Sequence, residues 1–359
     1  MTKLLTFEQA IQKTQYTTRY LLLGNGFSIA CEPKIFNYHS LYLEAENRII
    51  REMPEAHALF KQLGTKDFET IIKMILHTRQ VLPAYLPDEV KILEKLNAHV
   101  DSLKEILIST IADNHPANPS AILNEKFDAC RRFLANFVGN GIKGKIYTLN
   151  YDLLLYWTMM HRDKDVEKEP MINTSDGFGR DKPEANCIVW MNEAHDRSQN
   201  VYYLHGALHL FDNGIELEKF TWVNTGMPLV EQTRDALNDD KYPLFVAEGE
   251  SKQKLKKIKH QPYLYHNYKS FLKTIKEAKN NPKSLFIYGH SLDANDDHFL
   301  HKIGKGSISN LFVSIYGDPS NADNKQIIQK AKNLAALRED KNPLSVHFYD
   351  AQSANVWGE

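Results

Sequence analysis

Short apolar runs rich in β-branched and aromatic residues punctuate the chain, and most close on a turn residue. Tyr20 to Leu23 leads into Gly24, Lys145 to Leu149 into Asn150, and Val201 to Leu204 into His205-Gly206. Leu244 to Ala247 precedes Glu248-Gly249, and Leu285 to Tyr288 precedes Gly289. Leu311 to Tyr316 precedes Gly317-Asp318-Pro319, and Ser345 to Tyr349 lies near the end. Runs this short and this uniformly apolar fit strands covered on both faces. Their alternation with helical spacing predicts an α/β fold, a Rossmann-like and mostly parallel sheet of about six strands flanked by helices.

From about Tyr42 to about Val138 the period becomes helical, as in Phe68-Ile71-Ile72-Ile75-Leu76 and Val90-Leu93-Leu96-Val100-Leu103. Asn114-His115-Pro116 interrupts it, and a further helix is expected over 121–137. A crossover between parallel strands needs only one helix. The excess predicts an inserted helical subdomain at 41–139, with 1–40 and 140–359 forming the sheet-bearing domain. His161 to Gln199 is polar and holds Asp176-Gly177-Phe178-Gly179. It reads as an irregular segment, a flap over a site or, as is commoner, surface decoration. Residues 251–260, SKQKLKKIKH, carry five lysines, for which a solvated helix face is favoured over a phosphate-attracting patch.

Composition narrows the classes. At roughly 150 residues per domain, 359 residues amount to about two domains. With 44 basic and 45 acidic side chains the formal charge is −1, which argues against a dedicated nucleic-acid or acidic-membrane binder. Three cysteines without a CxxC pair exclude a four-cysteine zinc module. The first twenty residues lack a secretory apolar segment, and no apolar run approaches the roughly 18 residues needed to span a bilayer. No membrane association is expected, and the cytoplasm is the expected compartment.

Chemistry concentrates at the strand ends. Gly24-Asn25-Gly26-Phe27-Ser28 follows a strand and opens a helix. Glycines there let backbone N–H groups approach a phosphate, and Ser28 can cap the helix or bond that phosphate. Plain turn architecture explains the same residues. The hydride-transfer fingerprint fails, because its third glycine falls on Ile29 and Glu44 and Glu46 lie in a helical stretch. No GK[ST] occurs, which removes a Walker-type ATPase. Thr148, Asn150 and Asp152 alternate onto one face at the next strand end, although strand termination and helix capping account for each alone. His205-Gly206 offers a neutral imidazole able to accept a proton. Gly289-His290-Ser291 reads as a second cradle facing the first. The acids and histidines of 293–298 are of types that bind a metal, but they match no zinc signature and also read as a loop and an acid-rich helix start, so no metal is expected there.

In this order, GNGFS, TLNYD, HG and GHS resemble the loops of the SIR2-like (sirtuin-fold) NAD-binding proteins. The stretch PLFVAEGESKQKLKKIKHQPYL, with FETII and NHP before it, resembles the bacterial SIR2-like group DUF4917. The resemblance implies that Asn150 positions the nicotinamide ribose or the attacking water, that His205 is the general base, and that Asp152 is the acid of the same segment. It implies a dinucleotide cradle at Gly24, Gly26, Ser28, Gly289 and Ser291, and further contacts are expected at their neighbours Asn25, Phe27 and His290 and at Thr148. Deacylating sirtuins carry a four-cysteine zinc module that this chain cannot supply, so protein deacylation is disfavoured, and ADP-ribosyl transfer stands as a third reading. Zinc-free bacterial relatives cleave NAD in anti-phage defence. The expectation is therefore an NAD⁺ glycohydrolase, with NAD as substrate rather than resident cofactor. A homo-oligomer is expected, with a partner encoded nearby, such as an ATPase or nuclease. Activity is expected to be gated by the helical insertion, by the 161–199 segment or by assembly, since free NAD hydrolysis is toxic. The competing expectation is a sensor or assembly subunit that binds NAD or ADP-ribose without turnover.

Overall fold

A computed structural model describes residues 3–36, 38–161, 172–179, 187–191, 198–221, 227–239, 241–247, 249–276, 282–338 and 342–358. Six of the seven expected runs assemble into one all-parallel sheet. They are β1 (Thr18–Leu23), β2 (Lys145–Thr148), β5 (Val201–Tyr203), β9 (Lys283–Tyr288), β10 (Asn310–Ile315) and β11 (Ser345–Asp350). Across the sheet they run β11-β10-β9-β1-β2-β5. Counting only these six in chain order, that is 6-5-4-1-2-3, the doubly wound arrangement whose direction reverses between its first and fourth strands. Here the reversal falls between β1 and β9, paired in register from Thr18 with Lys283 to Leu23 with Tyr288. Both central strands are shielded on each face, and Leu21, Leu22, Leu23, Phe286 and Ile287 are wholly buried.

The seventh run belongs elsewhere. β8 (Pro243–Phe245) joins β3 (Phe178–Gly179), β4 (Cys187–Trp190), β6 (Gly206–Asp212) and β7 (Leu217–Phe220) in a separate antiparallel sheet ordered β3-β4-β7-β6-β8. The sequence reading missed this sheet because β3 has only two residues, β7 (LEKF) is half polar, and β6 (GALHLFD) is separated from β5 by only two residues. The 161–199 segment, expected to be irregular, supplies β3 and β4. Gly206 makes the hand-over between sheets. Its φ is +82°, and a Cβ there would stand 1.9 Å from the Leu244 carbonyl oxygen. Only glycine allows β6 to begin directly after His205.

Between β1 and β2 the chain is helical: α4 (Tyr38–Glu52), α5 (Pro54–Leu63), α6 (Phe68–Tyr85), α7 (Val90–Asn114) and α8 (Asn124–Val138). The last of these packs on β1 and β2 as their crossover helix. Core residues of α4 to α7, such as Ile49, Phe60, Ile72 and Leu103, are continuous with the core under the sheet. Among the described residues no helix is long and apolar enough to cross a membrane.

Candidate functional site

The carboxyl ends of the parallel strands open into one cavity of about 910 Å³, at the crevice where open α/β sheets bind ligands. The volume is at the upper end of the range for small-molecule pockets. Gly24, Asn25, Gly26, Asn150, Asp152, His205, Gly289, His290 and Ser291 all line it. Imidazole 205 and amide 150 therefore face one space. Phe27, Ser28 and Thr148, expected to touch the dinucleotide, do not line it. Phe27 packs on Trp357 with ring centroids 5.0 Å apart, and its carbonyl accepts the Trp357 indole N–H at 2.8 Å. Thr148 Oγ1 accepts the Asn150 backbone N–H at 3.1 Å and turns the chain out of β2.

The glycine bends do something other than the sequence predicts. The Gly24 N–H donates to the Tyr288 carbonyl at 2.9 Å, the Gly26 N–H to the Gly289 carbonyl at 2.8 Å, and the Gly289 N–H to Ser314 Oγ at 2.9 Å. Those three donors are used inside the protein, so they form no open phosphate cradle. The glycines serve close approach instead. A Cβ on Gly24 would lie 2.6 Å from the Gly289 oxygen, and one on Gly289 (φ +68°) would lie 2.6 Å from Gly26 Cα. The two bends thus fuse at the switch point and give the cavity a floor almost free of side chains.

Asn150 stands on that floor. Its Nδ2 donates to the Gly24 carbonyl at 3.1 Å and to Ser28 Oγ at 3.0 Å. A carbonyl only accepts, so the amide orientation is fixed and Oδ1 is the atom left for a ligand. Ser28 Oγ in turn donates to Asp152 Oδ2, while Asp152 Oδ1 accepts the Leu154 N–H at 2.9 Å. Ser28 neither caps its helix nor faces a phosphate; it links carboxylate 152 to amide 150. Asp152 is accordingly a positioning residue, and burial raises its pKa. Behind it, His115 Nε2 accepts the Leu153 N–H at 3.0 Å while Nδ1 lies 3.1 Å from the Pro116 carbonyl. Those partners require a neutral ring, and burial lowers its pKa to about 4.

The opposite wall is ionic. Lys254 Nζ, on α11 (Ser251–His260), donates to Glu69 Oε2 at 2.8 Å and to Asp296 Oδ1 at 3.2 Å, and all three side chains are buried. Burial opposes the charge on the ammonium, and the two carboxylates outweigh it, so Lys254 stays protonated with its pKa raised. Asp296 is held well below the usual carboxylate range: burial opposes this, and Lys254 and His290 outweigh it. Burial is the main cause of the raised pKa of Glu69. Asp296 Oδ2 lies 3.0 Å from His290 Nε2, and Oδ1 lies 3.7 Å from His205 Nε2. His205 Nε2 is also 3.4 Å from His298 Nε2. Burial drives the pKa of His205 well down, so its ring is neutral at pH 7.

Sequence reasoning missed Glu69, Lys254 and His115 as site residues, and it set Asp296 and His298 aside as part of a loop and helix start. The solvated-face reading of 251–260 is wrong for Lys254, which is 1% exposed. One signal was present. Lys254 shares the apolar stripe of its helix with Ile258, and Glu69 shares that of α6 with Ile72 and Leu76. A charge on an apolar stripe marks either a partner or an error. The described residues of the 161–199 segment do not line the cavity, whereas Leu41, Asp67, Glu69, Leu107 and Ile111 of the helical insertion do.

The fold and the cavity define a doubly wound α/β protein with a ligand-sized crevice at its switch point. The chain belongs to the family described as Domain of unknown function (DUF4917), whose profile it matches over residues 21–357. No curated protein matches it.

Proposed function

We propose that this protein hydrolyses NAD⁺ to ADP-ribose and nicotinamide, with a SIR2-like affiliation as the sequence motifs imply. The observation that carries the proposal is the single cavity at the switch point that holds Asn150 and His205 beside the fused glycine bends. Nicotinamide is already cationic in NAD⁺, so its departure needs no acid. Water adds to C1′ as the C1′–N bond breaks, and the electron pair of that bond leaves with neutral nicotinamide. Asn150 Oδ1 orients the water or the ribose hydroxyls, and His205 takes the proton. Asp152, acting through Ser28, keeps the amide turned toward the ligand. The adenosine half extends along the ends of β10 and β11, where Tyr316, Asn324 and Gln352 border the cavity.

The helical insertion is the proposed gate, because its side chains form part of the cavity wall. A role in bacterial anti-phage defence, with an oligomer or a neighbouring gene product as trigger, belongs to the same proposal. Incubating purified protein with NAD⁺ and separating products by chromatography tests the reaction. Asn150→Ala and His205→Ala are each expected to lower nicotinamide release by about 100-fold or more, with the circular dichroism spectrum unchanged. Undiminished release in both overturns the mechanism. A second reading, binding of NAD or ADP-ribose without turnover, is favoured by the low basicity that burial gives His205. Calorimetric binding without product would select it.

A further inference from the structure

His205 and the pair Asp296 and His298 are far apart in sequence, yet their ligating atoms converge. One nitrogen from each ring and one oxygen of the carboxylate all lie within 4.8 Å of one another. Two of the separations are 3.4 Å, between the Nε2 atoms of His205 and His298, and 3.7 Å, from His205 Nε2 to Asp296 Oδ1. Donor atoms bound tetrahedrally to one ion through bonds of about 2.1 Å stand roughly 3.4 Å apart. Two imidazoles with one carboxylate suit zinc, cobalt or ferrous iron, and not the all-oxygen shells of magnesium or calcium. Burial keeps both rings neutral, which is the ligating form.

The surroundings suit an ion as well. His298 Nδ1 lies 3.1 Å from Ser251 Oγ, so its second nitrogen is already oriented. Asp296 Oδ2 is held by His290. His205 and Asp296 line the cavity, so the fourth coordination position opens toward the ligand. Lys254 shares Asp296 Oδ1 with the ion, and Glu69 offsets the repulsion between the two cations. No signature appears within 293–298 because one ligand arrives from position 205.

We propose that His205, Asp296 and His298 bind one divalent transition-metal ion, and that its occupancy silences NAD hydrolysis. The second half rests on the function proposed above. A bound ion takes the imidazole lone pair that would accept the proton, and its charge opposes the positive charge growing on the ribose.

The test uses tag-free protein stripped with EDTA and titrated with Co²⁺, followed by visible absorption and by metal analysis after dialysis. Wild type is expected to retain one equivalent with the intense absorption of a low-symmetry site, and His298→Ala and Asp296→Asn to retain none. Ser251→Ala is expected to weaken binding about 10-fold. Saturation with Zn²⁺ is expected to cut nicotinamide release by about 100-fold, reversibly with EDTA. Absence of the cobalt absorption in wild type, or its persistence in His298→Ala, overturns the site. Should His298→Ala not fold, the wild-type spectrum decides alone. Hydrolysis that proceeds unchanged with the ion bound overturns the silencing. An ion that binds while NAD is never cleaved leaves the site standing and overturns the hydrolase reading.

Discussion

The two walls of the cavity hold their polar groups in opposite ways. One is a chain of hydrogen bonds among uncharged groups ending on a single carboxylate, from the Gly24 carbonyl through Asn150 and Ser28 to Asp152, backed by neutral His115. The other is a knot of buried charge in which one ammonium, Lys254, is shared by two carboxylates, Glu69 and Asp296, with His205, His290 and His298 packed around them. The first wall loses little when one bond is removed, because each neutral bond contributes about 1 kcal/mol. The second is intolerant, because removing one charge leaves another buried without a partner.

The largest expected effect therefore lies on the ionic wall. Lys254→Met should cost about 3–5 kcal/mol in urea unfolding, since it leaves two buried carboxylates facing each other. A cost below about 1 kcal/mol would mean that the carboxylates are not charged together, and the contrast between the walls would fail.

The neutral wall should declare itself through pH. His115 is neutral when folded, with a pKa lowered to about 4 from 6.5, so between those values the unfolded chain binds a proton that the folded chain does not. Stability is then complete above about pH 6.5 and falls as the pH descends to about 4, by on the order of 3 kcal/mol for this ring. His209, whose pKa burial drives well down, adds to the same slope. In EDTA, His115→Gln should flatten the fall by about one proton's worth, read from urea midpoints across that range. An unchanged slope would show that the ring accepts a proton without unfolding.

The smallest effect concerns the floor between the walls. Gly289→Ala should cost about 1–3 kcal/mol more than Gly317→Ala. Both glycines have positive φ, +68° and +72°, but only the first would drive a Cβ into backbone, while the second has nothing within 4 Å. Thermal unfolding of the two variants side by side checks this, and equal losses would refute the close-approach reading.

This contrast also explains what the sequence discloses. The neutral wall is local: TLNYD places Thr148, Asn150 and Asp152 within five residues, and GNGFS brings Ser28 opposite. Strand ends of this kind are visible as motifs, and six of the seven apolar runs fell into the parallel sheet for the same reason. The ionic wall draws on residues 69, 205, 254, 290, 296 and 298, whose meeting is set by tertiary packing and not by spacing. Lys254 reads as one of five solvent lysines when only charge composition is weighed, and its place on the apolar stripe with Ile258 is the signal that sets it apart. The antiparallel sheet stayed hidden because β3 and β7 carry little periodic signal and β6 merges with the apolar run of β5. The glycine motifs are equally plain in the sequence, but spacing alone does not tell a bend that awaits a phosphate from one that accommodates a neighbouring bend.

The hand-over at Gly206 has a mechanical consequence. The carbonyl of His205 is bonded to the Val246 N–H at 2.9 Å, and β6 starts at the very next residue. No slack separates the outer sheet from this imidazole. A displacement of the outer sheet would therefore pull on the backbone that carries this imidazole, as a crank does on its shaft.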